Sequence, residues 1–388
     1  MKKLVALSVL LLCFGAFAFA DDAITMPQGV GRFYVAPSFT FANGGFDDDG
    51  KLRDFSDPLQ VFNLGFALEY GILPWITAAV QWVPGWTPWS DAKPAALGAL
   101  APAAAELGMT SADILKGDVT TNGVADLFVG AKLQILGDAG PVENDMFRFA
   151  VAPGVIIPLP GPDFSKEADK VFGTMPPGTN DEITFASMDR HVFAAGGRFY
   201  FDWVINDNFF INLYNETIFY PVAQDLDNDG PTLAVAKNMA ALGAIGASQP
   251  QLVPSIMAIT GEVNYKYQLT FELEPVYKTE LADGVSLTAG LPITYRYIPA
   301  PDYTLDIPDS IPAGFGLKEG IEAAFADPKD QHSLYVSPSV SVMLMNTPLP
   351  LEFKLQYRLP VWGQNVNAGH TVMLQIRAYF AIPALMAN

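Results

Sequence analysis

Between residues 262 and 274 the chain alternates without a break. Glu262, Asn264, Lys266, Gln268, Thr270, Glu272 and Glu274 are polar, and Val263, Tyr265, Tyr267, Leu269, Phe271 and Leu273 are apolar or aromatic. Successive side chains of a strand point to opposite faces, so period two predicts a strand with two chemically different sides. A helix would scatter these charges around its circumference. The alternation returns at 351–359, where Glu352, Lys354, Gln356 and Arg358 oppose Leu351, Phe353, Leu355, Tyr357 and Leu359. It returns again at 372–380, where Gln375 and Arg377 oppose Leu374, Ile376 and Phe380. Strands of soluble sandwiches run about 5–6 residues. These are long enough to cross a bilayer, which takes about 9–11 tilted residues. Lipid admits only helices and closed barrels, because every backbone polar group must be satisfied internally. Long alternating strands point to the barrel.

The whole chain divides on this rule into twelve strands: 32–41, 61–71, 75–83, 123–135, 147–159, 191–204, 209–220, 262–277, 285–297, 333–345, 351–359 and 371–381. The connections alternate between long (43–59, 84–122, 160–189, 221–260, 298–331) and tight (72–74, 205–208, 282–284). Outer-membrane barrels have short periplasmic turns, longer extracellular loops and an even strand count. The expected fold is therefore all-β: a transmembrane antiparallel barrel of about twelve strands, or fourteen if a pair hides in a long loop, with short helices in the loops. The odd residues of 263–273 are expected to face lipid. Aromatics near strand ends, such as Tyr70, Trp75, Trp203, Phe209, Tyr295 and Tyr297, are placed as interfacial girdles would be.

Composition agrees with dispersed strands. Half of the 388 residues are hydrophobic and 16% are charged, yet no later run reaches the length of a transmembrane helix. Residues 1–20 read as a signal peptide: Lys2 and Lys3, an apolar core, then Ala18-Phe19-Ala20 before Asp21. Its core is short for a membrane anchor. The single cysteine, Cys13, lies inside it, so no disulfide is expected in the mature chain. Residues 21–31 read as a short periplasmic lead-in and 32–388 as the barrel. The net charge of −19 argues against nucleic acid, which needs clustered Lys and Arg. The acidic excess sits in connections, including Asp47, Asp48 and Asp49.

The inward charges are the candidate lumen residues: Glu69, Asp126, Lys132, Arg148, Arg198, Asp202, Glu216, Lys266, Glu272, Glu274, Arg296, Glu352, Lys354, Arg358 and Arg377. Two readings stand side by side. Rings of charge set a solute path's selectivity, or a network of ion pairs braces the wall. A Ser–His hydrolase needs a base beside its nucleophile. Ser333, Ser337, Ser339 and Ser341 share a face and His332 is adjacent, but no orienting third group is evident, and His191 and His370 lie at other strand starts. No enzyme activity and no cofactor is expected. Asp225, Asp227 and Asp229 match the first half of a calcium loop, but its twelfth position is Ala236 where Glu is required, so only a weak metal candidate remains. The apolar insertions 92–116 and 232–258 could fold into the pore or cover the surface.

Three segments carry a resemblance: Glu69-Tyr70-Gly71-Ile72-Leu73-Pro74-Trp75-Ile76-Thr77, Gly123-Val124-Ala125-Asp126-Leu127-Phe128-Val129-Gly130-Ala131-Lys132, and Ala152-Pro153-Gly154 continuing to Gly161. Together they resemble the barrels of the MetA-pathway phenol-degradation family and, more distantly, FadL-type transporters of hydrophobic compounds. The resemblance implies passive uptake of small hydrophobic or amphipathic solutes across the outer membrane, with outer-membrane lipid and the solute as partners. It also implies an N-terminal plug, for which residues 21–31 look short. A structural or adhesive barrel with a filled lumen is the alternative from another class.

Overall fold

The computed structural model describes residues 22–91, 118–160, 182–186, 190–229, 249–311 and 327–382, with isolated positions between 233 and 241 and between 318 and 325. The signal region 1–20 and the insertion 92–116 lie outside the described residues. β1 (Val30–Phe46), β2 (Leu52–Leu73) and β3 (Ile76–Asp91) form successive antiparallel hairpins. β4 (Asp118–Val124) and β5 (Leu127–Leu136) are two halves of one wall strand, and both pair with β3. β6 (Phe147–Ile157) follows, then the short β7 (Glu182–Ala186), which runs parallel to β4. β8 (Ala194–Asn206) and β9 (Phe209–Phe219) make the next hairpin.

β10 (Gln224–Asp225) and β11 (Thr260–Asn264) leave the wall, with helices α1 (Leu226–Asp229) and α2 (Val253–Met257) between them. β12 (Tyr267–Ala282) returns to it. β13 (Val285–Gly290) and β14 (Ile293–Ile298) are halves of the next wall strand. β15 (Asp302–Asp306) joins β10 and β11 in a separate three-stranded sheet. β16 (Gln331–Val336) and β17 (Ser339–Leu344) share another wall strand, followed by β18 (Leu351–Gln364), the two-residue β19 (Val366–Asn367) and β20 (His370–Ala381). β20 pairs with β1 from Val30↔Ala381 to Phe41↔His370, which closes a barrel of twelve antiparallel wall strands. Among the described wall strands closure leaves no unpaired edge, as lipid demands.

The alternation along β12 does what the sequence predicts. Gln268, Thr270, Glu272 and Glu274 are buried inside, while Phe271 and Leu273 are 49% and 42% exposed on the outer face. Phe199, Leu213, Leu355 and Val372 are exposed in the same manner on other strands. An apolar surface of this extent belongs against hydrocarbon, not water.

Three expectations are corrected. The first loop, read as 43–59, shrinks to a turn at 47–51, because β1 and β2 stay paired through Gly44↔Asp54 and Phe46↔Leu52. Neighbouring backbones satisfy each other there even where the side chains are acidic. Second, the segment 262–266 is not wall strand. Val263 and Tyr265 are buried in a core with Ile218, Tyr220, Leu226, Leu233, Ile256 and Ile311 instead of facing lipid. That core joins described parts of the insertion 232–258 to Ile218 and Tyr220, which continue the inward face of β9. Third, residues 22–29 turn back into the barrel. Thr25 Oγ1 donates to the Pro74 carbonyl at 2.7 Å and the Met26 N–H donates to Thr77 Oγ1 at 2.8 Å. Gly71 lets this segment approach, since a Cβ there would collide with the Pro27 carbonyl.

Candidate functional site

The interior holds a cavity of about 920 Å³. Seven carboxylates (Asp22, Glu69, Asp138, Asp145, Asp207, Glu274, Glu352) and seven cations (Arg32, Lys132, Arg148, Arg198, Lys278, Lys354, Arg377) line it. The acidic excess of the whole chain thus stops at the lumen, and local arrangement decides what the lining can hold.

Five of these charges, Arg32, Glu69, Arg198, Glu352 and Arg377, are paired along one side. Arg32 donates to Glu69 at 2.5 Å, and Gln81 donates to the same carboxylate at 3.2 Å. Arg198, on β8, reaches past β6 and β5 to Gln81 at 2.7 Å and pairs with Glu216 at 2.5 Å. Its guanidinium lies over the Phe128 ring, 3.9 Å from the centroid. Tyr214 also donates to Glu216, at 3.1 Å. On the other flank Arg377 pairs with Glu352 at 3.2 Å, and Tyr379 donates to Glu352 at 2.6 Å. Tyr34 sits between the two groups, with Arg32 and Arg377 5.9 and 5.8 Å from its ring centre. The result is an arc of neutralised charge from β18 through β20, β1, β2 and β3 to β9. Buried charges persist only when paired and hydrogen-bonded, and this arc meets that condition.

The N-terminal segment fills the space below the arc. The Ala23 N–H donates to Asp202 Oδ2 at 3.0 Å, and Ala23 packs among Ala150, Ala152, Tyr200 and Tyr214. Lys132 Nζ donates to the Asp22 carbonyl at 2.8 Å and lies 4.4 Å from the Tyr200 ring centre. Arg148 pairs with Asp138 at 2.9 Å and approaches Asp202 at 3.8 Å.

The opposite wall differs. Ser286, Thr288, Gly290, Ser339 and Ser341 face the cavity from β13 and β17, with Met343 and Lys354 beside them. Glu272 accepts Thr294 Oγ1 at 2.5 Å, and Arg296 donates to Gln268 at 2.6 Å above the cavity. Arg358 stacks 5.2 Å from the Tyr335 ring. Asp126 sits at the break between β4 and β5, where it accepts the Leu159 N–H at 3.1 Å. It clamps a strand end and lines no part of the cavity.

Lys266 is a correction. It pairs with Asp302 at 3.1 Å on an exposed surface, because the strand breaks at 265–266 and the facing shifts by one residue. The serine–histidine arrangement also fails. His332 lies among the outward rings, bonded to Tyr295 at 2.7 Å, while Ser333, Ser337 and Ser341 are buried on the inner side. A nucleophile and its base on opposite faces of one wall cannot meet. Of the acidic run, Asp227 grips Lys237 Nζ at 3.1 Å, and Asp225 Oδ1 accepts the Asp227 N–H at 2.9 Å. Among the described residues no three metal-ligating side chains converge. Gln81, Tyr34, Phe128 and the backbone of 22–26 were missed, because a search for charges passes over neutral residues on the inward parity.

No protein-family model and no curated protein matches the sequence. In fold the chain is similar to the crystal structure of the COG4313 outer membrane channel from Pseudomonas putida F1. That match has a TM-score of 0.52 at 14% identity and covers 93% of this chain and 99% of that one. The CymD monoaromatic hydrocarbon channel aligns at TM-score 0.33 and 10% identity, over 92% and 89% of the two chains. A Pseudomonas aeruginosa FadL homologue aligns at 0.32 and 9%, over 91% and 90%. The first match shows a shared barrel fold; the other two, at those scores, add nothing to the argument.

Proposed function

We propose that this protein is an outer-membrane channel for passive passage of small hydrophobic or amphipathic solutes. The observation that carries this reading is the cavity of about 920 Å³ inside a closed wall. Ile24, Met26, Phe128, Phe210, Val276 and Met343 give it apolar surface, while the arc neutralises Arg32, Glu69, Arg198, Glu352 and Arg377 by internal pairing. A ligand pocket of about 300–1,000 Å³ with a few convergent polar groups suits a small amphiphile. The similarity in fold to a COG4313 outer membrane channel supports the same reading. In this reading the termini are periplasmic and the long connections extracellular, as for barrels with short periplasmic turns.

Solutes would gather beneath the apolar loop core, descend past the serine-rich wall and leave beside residues 22–27. The charged arc has mainly a bracing role, and its pairing favours that reading of those residues over a ring of selectivity. A filled, structural barrel is the second reading, favoured by the N-terminal segment below and the loop core above. Single-channel recording in planar bilayers separates the two. Discrete conductance steps support the channel, and a silent, correctly folded barrel would refute it.

A further inference from the structure

The lining cations differ in how they are held. Arg32, Arg148, Arg198 and Arg377 each have a carboxylate within 4 Å, and Lys132 is held by the Asp22 carbonyl and the Tyr200 ring. Lys278 and Lys354 line the same cavity without an ion pair inside 4 Å among the described residues; Lys278 is exposed, and Lys354 is the half-buried one. Register places Lys354 in one cross-strand row with Ser341 and Thr288. The next row is Gln356, Ser339 and Gly290. Small hydroxyl side chains therefore flank Lys354 on the neighbouring strands, and no carboxylate touches its ammonium group.

Glu352 accepts Arg377 and Tyr379. Glu272 accepts Thr294 through one oxygen and acts on Lys354 only through space, with no contact inside 4 Å. The carboxylate of Glu274, a residue of β12, reaches over Gly290 on β13, two strand spacings from β18, or about 10 Å at ~4.8 Å per strand.

We propose that Lys354 is the specificity-determining residue of the cavity and binds the anionic head of a small carboxylate amphiphile, such as an aromatic acid. This deepens the channel reading and rests on it. The carboxylate gives Lys354 a counter-charge in direct contact and accepts from Ser339. The apolar part lies toward Met343, Phe128 and Met26. Charge-assisted hydrogen bonds are shorter and stronger than neutral ones, so the head group rather than the ring sets the preference.

The test titrates benzoate, benzamide and benzylammonium separately into the folded protein in detergent micelles, by calorimetry. Benzoate is expected to bind about tenfold more tightly than benzamide, with benzylammonium weaker still. Lys354→Gln should abolish that advantage, and Lys354→Arg should keep most of it. Heat-modifiable gel mobility confirms that each variant is folded. Equal binding of the three probes, no binding of any, or an advantage that survives Lys354→Gln would overturn the assignment. Bilayer recordings on the same preparations keep the two ideas apart. A protein that prefers benzoate yet conducts nothing refutes the channel while leaving the Lys354 site in place.

Discussion

Tyr265 and Gln268 are three positions apart and both are buried inside, Tyr265 against Tyr220 and Gln268 beneath Arg296. An unbroken strand would put them on opposite faces. Between them the facing of the chain reverses, so Val263 belongs to the loop core and Leu273 to the outer belt. Leu273→Arg should therefore cost about 2–4 kcal/mol of folding stability in lipid vesicles, the range for a cation near the midplane of a barrel's outer face. Val263→Arg should leave the membrane wall intact and loosen the loop core. Stability in vesicles, beside protease sensitivity of 221–260, reads both. Equal loss of wall stability from the two substitutions would contradict the reversal.

Arg198 and Glu216 test the bracing role. Arg198→Met strands a buried carboxylate that, among the described residues, keeps Tyr214 as its one donor, and removing one partner of a buried pair costs about 3–5 kcal/mol. Replacing both with apolar residues of similar size should recover most of that loss. Urea unfolding of the single and double variants decides it. If each single change is neutral, the pair does not brace the barrel.

The N-terminal segment makes a prediction about size. Deleting residues 22–27 removes the contacts to Asp202, Lys132 and Thr77, and should widen the passage. Single-channel conductance is expected to rise several-fold while the barrel stays folded. Unchanged conductance would mean the segment does not limit flow.

Asp47 caps the turn between β1 and β2. Its carboxylate accepts the backbone N–H of Lys51 at 2.9 Å and Arg53 Nε at 2.8 Å. The Lys51 bond foremost, then Arg53, holds its pKa below the ordinary value of 3.8. A depressed value means the bonded form stabilises the turn above that ordinary pKa, and the contribution fades as pH falls through the lower, folded value. Hydrogen-exchange protection of the Asp49 and Lys51 amides should fall as pH drops below about 4. In Asp47→Asn it should be low and flat with pH. A pH-independent wild-type turn would exclude the carboxylate as its clamp.

The sequence by itself determined the wall. Period two over ten or more residues is a local property: it states which side chains share a face, and lipid permits one closed solution for such strands. Twelve wall strands, tight turns near 72–74, 205–208 and 282–284, and the inward facing of Glu69, Arg198, Glu216, Glu352 and Arg377 were legible for that reason. Alternation has no signal for where one sheet ends and another begins. The same pattern runs through 262–274, yet only tertiary packing shows that Val263 and Tyr265 meet Leu233 and Ile256. Pairing was equally hidden, because Arg198 meets Gln81 across two intervening strands, 117 residues away in sequence. The N-terminal segment was read as a short lead-in, and its length alone does not say where it goes. Seven extended residues reach roughly 23 Å, enough to enter a lumen. The difference between Lys354 and the paired arginines follows from the same cause. A charge is read from one position, but its neutralisation depends on neighbours that only the closed barrel brings together.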